Sequence, residues 1–413
     1  MADLLVYSDW HGALGPRKLG TLSAETVRGR ETFSFAFDEA RLREGGDVAL
    51  VDPDLSLFAG RQFPARANFG FFLDSCPDRW GRRLVRRREA IRAAKAGEEP
   101  RRLRETDFLL GVFDRTRLGA LRFKAAPDGP FLDDDALLPT PPWATLRRLE
   151  AAARRLSSDE DAPASDEERW LSLLLAPGSS LGGARPKANV LAPDGSLWIA
   201  KFPAKSDEAD VGAWEGVAAA LARAAGVRAA ESRTERLSRG GTTFLSRRFD
   251  RDGAARVHFA SAMTMLGASD GESGERSYLD IADFLACRGE APAEDLPELW
   301  RRIVFSIAIG NTDDHLRNHG FLLDARGWRL APAYDLNPNP ATQGALSLCI
   351  DRDDATADFS VALRVARDFR LSPAEADAIL ARVREAVAPW RAVAAARGIP
   401  ARQIDAYRPA FTP

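Results

Sequence analysis

The chain has 413 residues, enough for two or three domains that each bury a core. Its 45% hydrophobic and 29% charged residues are those of an ordinary globular protein, and no stretch reaches the roughly 18 unbroken apolar residues of a membrane span. A net charge of −2 excludes a molecule that attracts nucleic acid as a whole, and Cys76, Cys287 and Cys349 are too scattered for a disulfide framework or a zinc site.

The three cysteines are expected to be small buried hydrophobes. Without a basic segment followed by an apolar one at Met1–Trp10, no signal peptide is indicated and a cytoplasmic location is the expectation. Charge is uneven: Arg79–Arg104 carries eleven Lys or Arg against three Glu. It reads as a solvated arginine-rich face, with contact to phosphate or an acidic partner as the alternative. Only six of the 58 basic residues are Lys, and Lys187, Lys201 and Lys205 fall close together. A chain that otherwise uses Arg keeps Lys where a compact ammonium is needed.

In chain order, residues 1–125 read as a β-rich subdomain. Leu4–Tyr7 and Thr32–Phe37 alternate as half-buried strands do, Pro77–Arg92 reads as a helix opened by proline, and Leu109–Phe123 as a hairpin around Asp114–Thr116. Residues 126–170 read as a connector with one helix, Trp143–Leu156, and a flexible part at Ser157–Ser165.

Residues 171–255 are more informative. A Gly and Ser loop, Pro177–Lys187, precedes two strands, Asn189–Ala192 and Leu197–Phe202, joined by Asp194-Gly195. The second strand ends with Lys201, and a helix over Val211–Ala225 carries Glu215. Thr243–Phe249 is a further strand leading to a connection at Asp250. Loop, strand lysine and helix glutamate follow the order of a kinase small lobe, in which the loop covers phosphates, the Lys grips them and the Glu steadies the Lys. The backbone N–H groups of Ser180, Leu181, Gly182 and Gly183 could cradle phosphate. Singly, each of these also reads as an ordinary turn, strand or surface-pair residue.

Residues 256–413 read as a helical catalytic lobe. The periodic segment Leu296–Ile309 stops at Gly310, and Asp313 and Asn318 follow five residues apart. That spacing suits a base, Asp313, which orients an acceptor hydroxyl and takes its proton, and a metal ligand, Asn318. Asp335, after a hairpin of Gly320–Leu323 and Trp328–Leu330, stands where a second Mg²⁺ ligand is expected. His315 is expected to hold the loop by hydrogen bonding, His258 to be structural, and Asp314 to be a solvated neighbour. The tail, Ser372–Ile399, reads as two helices with Ser372 as N-cap.

Together these motifs resemble the HipA family of bacterial Ser/Thr kinases, the toxins of toxin–antitoxin pairs. The resemblance rests on Ser180, Gly183-Ala184 and Lys187; on Lys201; on Arg248–Arg251; on Thr312–Asn318; on Tyr334-Asp335; and on Pro77–Leu84 and Leu118–Phe123. It implies an α+β, bilobal protein-kinase-like fold with a β-rich N-terminal subdomain and a mainly helical C-terminal lobe. It implies dependence on ATP and Mg²⁺, with ATP contacts from Ser180, Leu181, Gly182, Gly183, Lys187, Lys201, Arg248 and Phe249. Also implied are transfer to a Ser of an aminoacyl-tRNA synthetase with growth arrest and persistence, autophosphorylation at Ser180, and a HipB-like DNA-binding antitoxin through which DNA is met only indirectly. This chain departs from the family pattern at Arg247, where many members have Glu, and at Phe259–Ala262, where an acidic motif is common. A small-molecule kinase on the same fold and a non-enzymatic scaffold of an antitoxin–DNA repressor are the alternatives.

Overall fold

Leu4 and Val6, and Phe33, Phe35 and Phe37, are buried at alternate positions, and both segments form the strands their pattern predicts. The computed structural model describes residues 2–10, 15–44, 51–132, 140–157, 174, 185–269, 271, 275–341 and 344–412. The chain is α+β and divides into two units, Met1–Lys205 with Arg247–Ala260 and Ser206–Ser246 with Ser261–Pro413. The region expected at 171–255 is thus shared between them.

In the first unit β1 (Ala2–Ser8), β2 (Arg17–Val27) and β3 (Arg30–Phe37) join a later strand in an antiparallel sheet. Gly20 of β2 has no alternative there, because a Cβ would lie 2.3 Å from the Ala36 carbonyl oxygen. Phe35 packs against Phe37, Phe69, Phe71 and Phe72 at centroid distances of 5.0 to 6.4 Å. Helix α1 (Arg79–Ala96) starts where Asp78 Oδ1 accepts from Gly81 N, and stops at the left-handed Gly97. Its basic face is laced with carboxylates: Arg82 forks onto Glu105 and Arg92 meets Glu89 and Glu98, while Arg101, beyond the helix, meets Glu89 and Asp107.

The hairpin expected over Leu109–Phe123 does not form. Glu105–Leu110 is a helix whose first turn is closed by Asp107 accepting from Arg104 N, Asp114–Thr116 is a 3₁₀ turn, and only β4 (Leu121–Lys124) is a strand. The reason is Arg117, buried among carbonyls: its guanidinium donates to Ser75, Leu109 and Val112, which a two-stranded ribbon could not offer it. The sheet order is β3-β2-β1-β4.

Helix α2 (Leu146–Ser157) and the antiparallel pair β5 (Lys187–Leu191) and β6 (Leu197–Lys201) complete this unit's elements relevant to the site. Gly195, at φ +83°, makes the turn between β5 and β6.

The second unit begins with α3 (Val211–Ala224), whose N-cap Asp210 accepts from Ala213 N and from Thr242 N and Oγ1. A hairpin of β7 (Ser232–Ser238) and β8 (Gly241–Arg247) follows. Helices α4 (Tyr278–Arg288) and α5 (Pro292–Ile309) lead to the hairpin of β9 (Gly320–Asp324) and β10 (Gly327–Leu330). Buried Asp295 and Glu298 of α5 tie in their surroundings: Asp295 binds Arg228, Arg329 and Leu330 N, and Glu298 accepts from Arg228 N and Arg302 Nε. The tail forms α6 (Pro373–Val387), capped by Ser372 as expected, and α7 (Trp390–Ala396). Trp214 of α3 stacks on Tyr407, with centroids 4.0 Å apart, and Trp390 stacks on Phe411 at 4.1 Å. Cys76 and Cys349 are buried as expected, but Cys287 is exposed near the end of α4. Among the described residues no helix is long and apolar enough to cross a membrane.

Candidate active site

Helix α5 ends because Gly310 takes a left-handed turn, φ +61°, at a point where a Cβ would lie 2.4 Å from the Ala410 carbonyl oxygen. The chain then runs through a loop whose groups are almost all engaged. Asn311 N donates to Ser306 O, and Thr312 O accepts from the backbone and hydroxyl of Ser347. Asn339 Nδ2 donates to Thr312 Oγ1, and Tyr334 Oη donates to Arg317 O at 2.7 Å. The segment Tyr334–Asn339 is in this way strapped to the loop.

Asp313 presents its carboxylate to solvent, while its carbonyl accepts from Asn318 Nδ2 at 3.0 Å and from His315 N. The Asp and Asn read from their spacing are therefore in contact through one amide hydrogen bond, which fixes the Asp313 backbone and leaves Oδ1 as the acceptor end of Asn318. Asp335 is half-buried in the left-handed region at φ +58°, and accepts from Asn337 Nδ2 at 3.1 Å.

Asp314 is not a solvated neighbour. It is buried, accepting from Tyr278 Oη at 2.6 Å and Ser306 Oγ at 3.2 Å, with His319 Nε2 3.1 Å away. Burial works against its charge, but His319, Tyr278 and Ser306 together hold its pKa below the usual value, and burial beside that carboxylate raises the Tyr278 phenol well above its own. The histidine that faces this anchor is His319; His315 Nδ1 is buried with no hydrogen-bond partner among the described residues. His315 takes part in the loop through its backbone, which binds Asp313 O and Asn318 N.

In the first unit, Lys187 and Lys201 stand opposite each other in the β5–β6 register. The Lys187 ammonium is 2.7 Å from Asp78 Oδ2, with the two side chains 2% and 3% exposed, and Trp80 Nε1 donates to the Lys187 carbonyl. Lys201 is half-buried. Arg248 N donates to Leu197 O, and its guanidinium is buried on Asp250, Asn189 Oδ1 and the carbonyls of Thr116 and Arg117. Burial opposes ionisation of Asp250, yet Arg248 and Arg251 hold its carboxyl far below the usual range, and Gly119 N donates to it as well. The Arg248–Arg251 motif thereby locks Leu118–Phe123 in place, and Phe249 packs on Phe259. His258, stacked on Trp10, is pushed down to about 3 by burial and is neutral. Glu215 is buried on α3. Ser180, Leu181, Gly182 and Gly183 lie outside the described residues.

Among the described residues no group of three or more His, Cys, Asp or Glu side chains is arranged to hold a metal ion. Asn318 and Asp335, expected as metal ligands, each carry a hard oxygen of the kind Mg²⁺ prefers, an ion that takes one or two protein oxygens and completes its shell with phosphate and water. Asp78, Tyr278, Asn311 and Asn337 were missed by sequence reasoning, and Asp314 was given the wrong surroundings. Asp78 lay in a quoted motif, Pro77–Leu84, but nothing local pairs it with a lysine 109 residues away.

The family described as HipA-like C-terminal domain matches residues 179–390, just over half of the chain. Two curated proteins of Sinorhizobium fredii are similar: "Putative kinase Y4mE", 29% identical over 182 residues, covering 38% of this chain and 41% of that one, and "Putative kinase Y4dM", 36% identical over 98 residues, covering 23% and 24%. The chain thus spans less than half the length of these relatives. Among solved structures, a chain of the Shewanella oneidensis toxin–antitoxin complex of HipA, HipB and operator DNA superposes with a TM-score of 0.66 at 17% identity, over 98% of this chain and 94% of that one. At that identity the likeness establishes the fold, and it is the HipA-like fold that the motifs led one to expect.

Proposed function

Because the chain belongs to the HipA-like C-terminal domain family, we propose that it is an ATP- and Mg²⁺-dependent protein kinase that phosphorylates Ser or Thr, and the toxin of a toxin–antitoxin pair. The observation that carries this reading is the exposed Asp313 carboxylate on a loop pinned by Asn318 and strapped by Tyr334–Asn339. Phosphoryl transfer is mostly positioning and electrostatics, and a rigid loop with one outward carboxylate meets that need.

Asp313 orients the acceptor hydroxyl toward the γ-phosphorus and accepts its proton as the new P–O bond forms and the bond from the γ-phosphorus to the β-phosphate bridging oxygen breaks, with ADP as the leaving group. Asn318 through Oδ1 and Asp335 through its carboxylate would hold Mg²⁺, which when bound neutralises charge on the phosphates. Lys201 grips the α/β-phosphates, with Glu215 proposed as its partner. The sequence at Ser180–Gly183 supplies phosphate-binding N–H groups, and Arg248 and Phe249 line the adenine side. The Arg248 guanidinium is engaged by Asp250 and its backbone N–H by Leu197 O, so the side chain is not proposed to make that contact. The resemblance adds an aminoacyl-tRNA synthetase as the substrate and Ser180 as a self-inactivating phosphorylation site, where nearly two negative charges would enter the nucleotide loop. A DNA-binding antitoxin partner is supported by the likeness to a chain solved with HipB and operator DNA.

The test is incubation of the purified protein with labelled Mg-ATP and host lysate, beside Asp313→Asn and Ser180→Ala. Wild type labels itself and a lysate protein, Asp313→Asn labels neither, and Ser180→Ala labels only the lysate protein. Nucleotide binding without any label would sink the kinase reading, and self-labelling of Ser180→Ala at full stoichiometry would remove Ser180 as the site.

A further inference from the structure

Resting on the kinase reading, we infer that Tyr278 is a positioning residue for phosphoryl transfer: its phenol holds the Asp314 carboxylate inside the protein and thereby fixes the direction in which the adjoining Asp313 carboxylate points. Burial alternates along this loop. Thr312, Asp314, Leu316 and Asn318 are buried, whereas Asp313 is exposed and His315 and Arg317 are half-buried. Asp314 is the ionisable member of the buried set, so its place inward holds only while partners are supplied to it. They come from two helices: Tyr278, the first residue of α4, donates to Oδ2 at 2.6 Å, and Ser306 of α5 donates to the same oxygen at 3.2 Å. His319 Nε2 lies 3.1 Å from Oδ1.

The peptide unit between Asp313 and Asp314 is planar and stiff, so attachments at its two ends fix where the Asp313 Cα and its side chain lie. One attachment is the Asp313 carbonyl, which accepts from Asn318 Nδ2 at 3.0 Å and from His315 N at 3.1 Å. The other is the tethered side chain of Asp314. Among its donors Tyr278 sets position most firmly, because its bond is the shortest and its ring is fully buried. Its own backbone is fixed too: Tyr278 N donates to Cys349 O at 2.9 Å, and a Ser277–Asp280 capping box closes the start of α4. Burial beside the carboxylate keeps the phenol protonated and therefore a donor. Ser306 is less exclusive, since its Oγ also accepts from Asn311 Nδ2 at 3.3 Å. Without the phenol, Asp314 retains Ser306 and His319 but loses its tightest tether, and Asp313 moves with it. A base that must meet a hydroxyl in line is sensitive to such a shift, and a displacement of about 1 Å can cost about 100-fold in rate.

The experiment follows transfer of label from Mg-ATP to the full chain itself and to lysate protein, recording the rate at saturating Mg-ATP and the Mg-ATP concentration that gives half that rate. Wild type is compared with Tyr278→Phe, which removes only the hydroxyl, and with Ser306→Ala, which takes the second hydroxyl from the same carboxylate oxygen. Ser372→Ala, which loses the N-cap of α6, is the control for lowered stability alone. All are assayed below their unfolding midpoints. The expected result is a saturating rate lowered about 10–100-fold in Tyr278→Phe, and by less in Ser306→Ala, with the half-saturating Mg-ATP concentration within twofold of wild type and Ser372→Ala unchanged in both. A saturating rate within twofold of wild type in Tyr278→Phe, or in Ser306→Ala should the first variant not fold, overturns the role of Tyr278 and leaves the kinase reading intact. A half-saturating concentration that rises as the rate falls, or an equal loss of rate in Ser372→Ala, overturns it too, by marking a structural role only. A wild type that labels neither itself nor a lysate protein removes the kinase reading and this inference with it.

Discussion

The Lys187 ammonium lies 2.7 Å from the Asp78 carboxylate, both side chains almost fully buried, so the first residue of β5 is bolted to the N-cap of α1. Asp78 does two jobs at once, one oxygen capping the helix and the other meeting the lysine. Removing one partner of a buried pair leaves the other charge uncompensated, at about 3–5 kcal/mol. Asp78→Ala should lose that much in urea unfolding, and Lys187→Met a comparable amount. The double variant should lose distinctly less than their sum, and strict additivity would show the pair to be uncoupled.

Asp313 and Asp314 are neighbours with opposite surroundings, so their substitutions should separate. Asp313→Asn, on an exposed carboxylate, should keep the unfolding midpoint and lower phosphoryl transfer by about 10²–10⁴-fold. Asp314→Asn removes a charged acceptor from Tyr278 and Ser306 and should cost about 1–3 kcal/mol of stability. The reverse pattern would exchange the roles assigned to them.

His258 gives an acid-side signature. Its pKa is pushed down to about 3 when folded, against 6.5 as the ordinary value, so between these the unfolded chain binds the extra proton. Stability therefore falls as pH drops from about 6.5 toward 3. Asp52, raised to about 6 by burial, acts in the opposite sense between 3.8 and 6, where the folded chain binds the extra proton. The difference between wild type and His258→Phe isolates the histidine: the variant should lose less stability from pH 7 to pH 5, and parallel curves would contradict a buried neutral imidazole.

Trp214 precedes Glu215 on α3 and stacks on Tyr407 with the rings within 7° of parallel. Its indole Nε1 is buried with no hydrogen-bond partner among the described residues. Trp214→Ala should cost about 3–5 kcal/mol, whereas Trp214→Phe keeps a ring in place, gives up no hydrogen bond and should cost roughly half as much. Thermal unfolding of the two variants reads the comparison directly, and equal losses would show that the indole edge rather than the stack holds α3.

Local pattern carried much of the fold. Alternation placed β1 and β3, the Asp194-Gly195 dipeptide placed the β5–β6 turn, and apolar periodicity ending in Gly310 placed α5 and the loop after it. It failed at Leu109–Phe123, where Arg117 gathers the nearby carbonyls of Leu109 and Val112 together with that of Ser75, 42 residues back, a demand that apolar alternation does not register. Spacing found Asp313 and Asn318 because their contact is local, but it ranked Asp314 as solvated, since Tyr278 and Ser306 reach it only after helices α4 and α5 have packed.

The sequence by itself determined the kinds and order of chemical parts, because periodicity, turn residues and the five-residue interval from Asp313 to Asn318 act over one or two turns of chain. Only the tertiary structure decided where each charge finds its counter-charge. Lys187 meets Asp78 across 109 residues and Arg248 meets carbonyls more than 130 residues back, and a buried ion is stable only once distant segments have closed around it and supplied its partner.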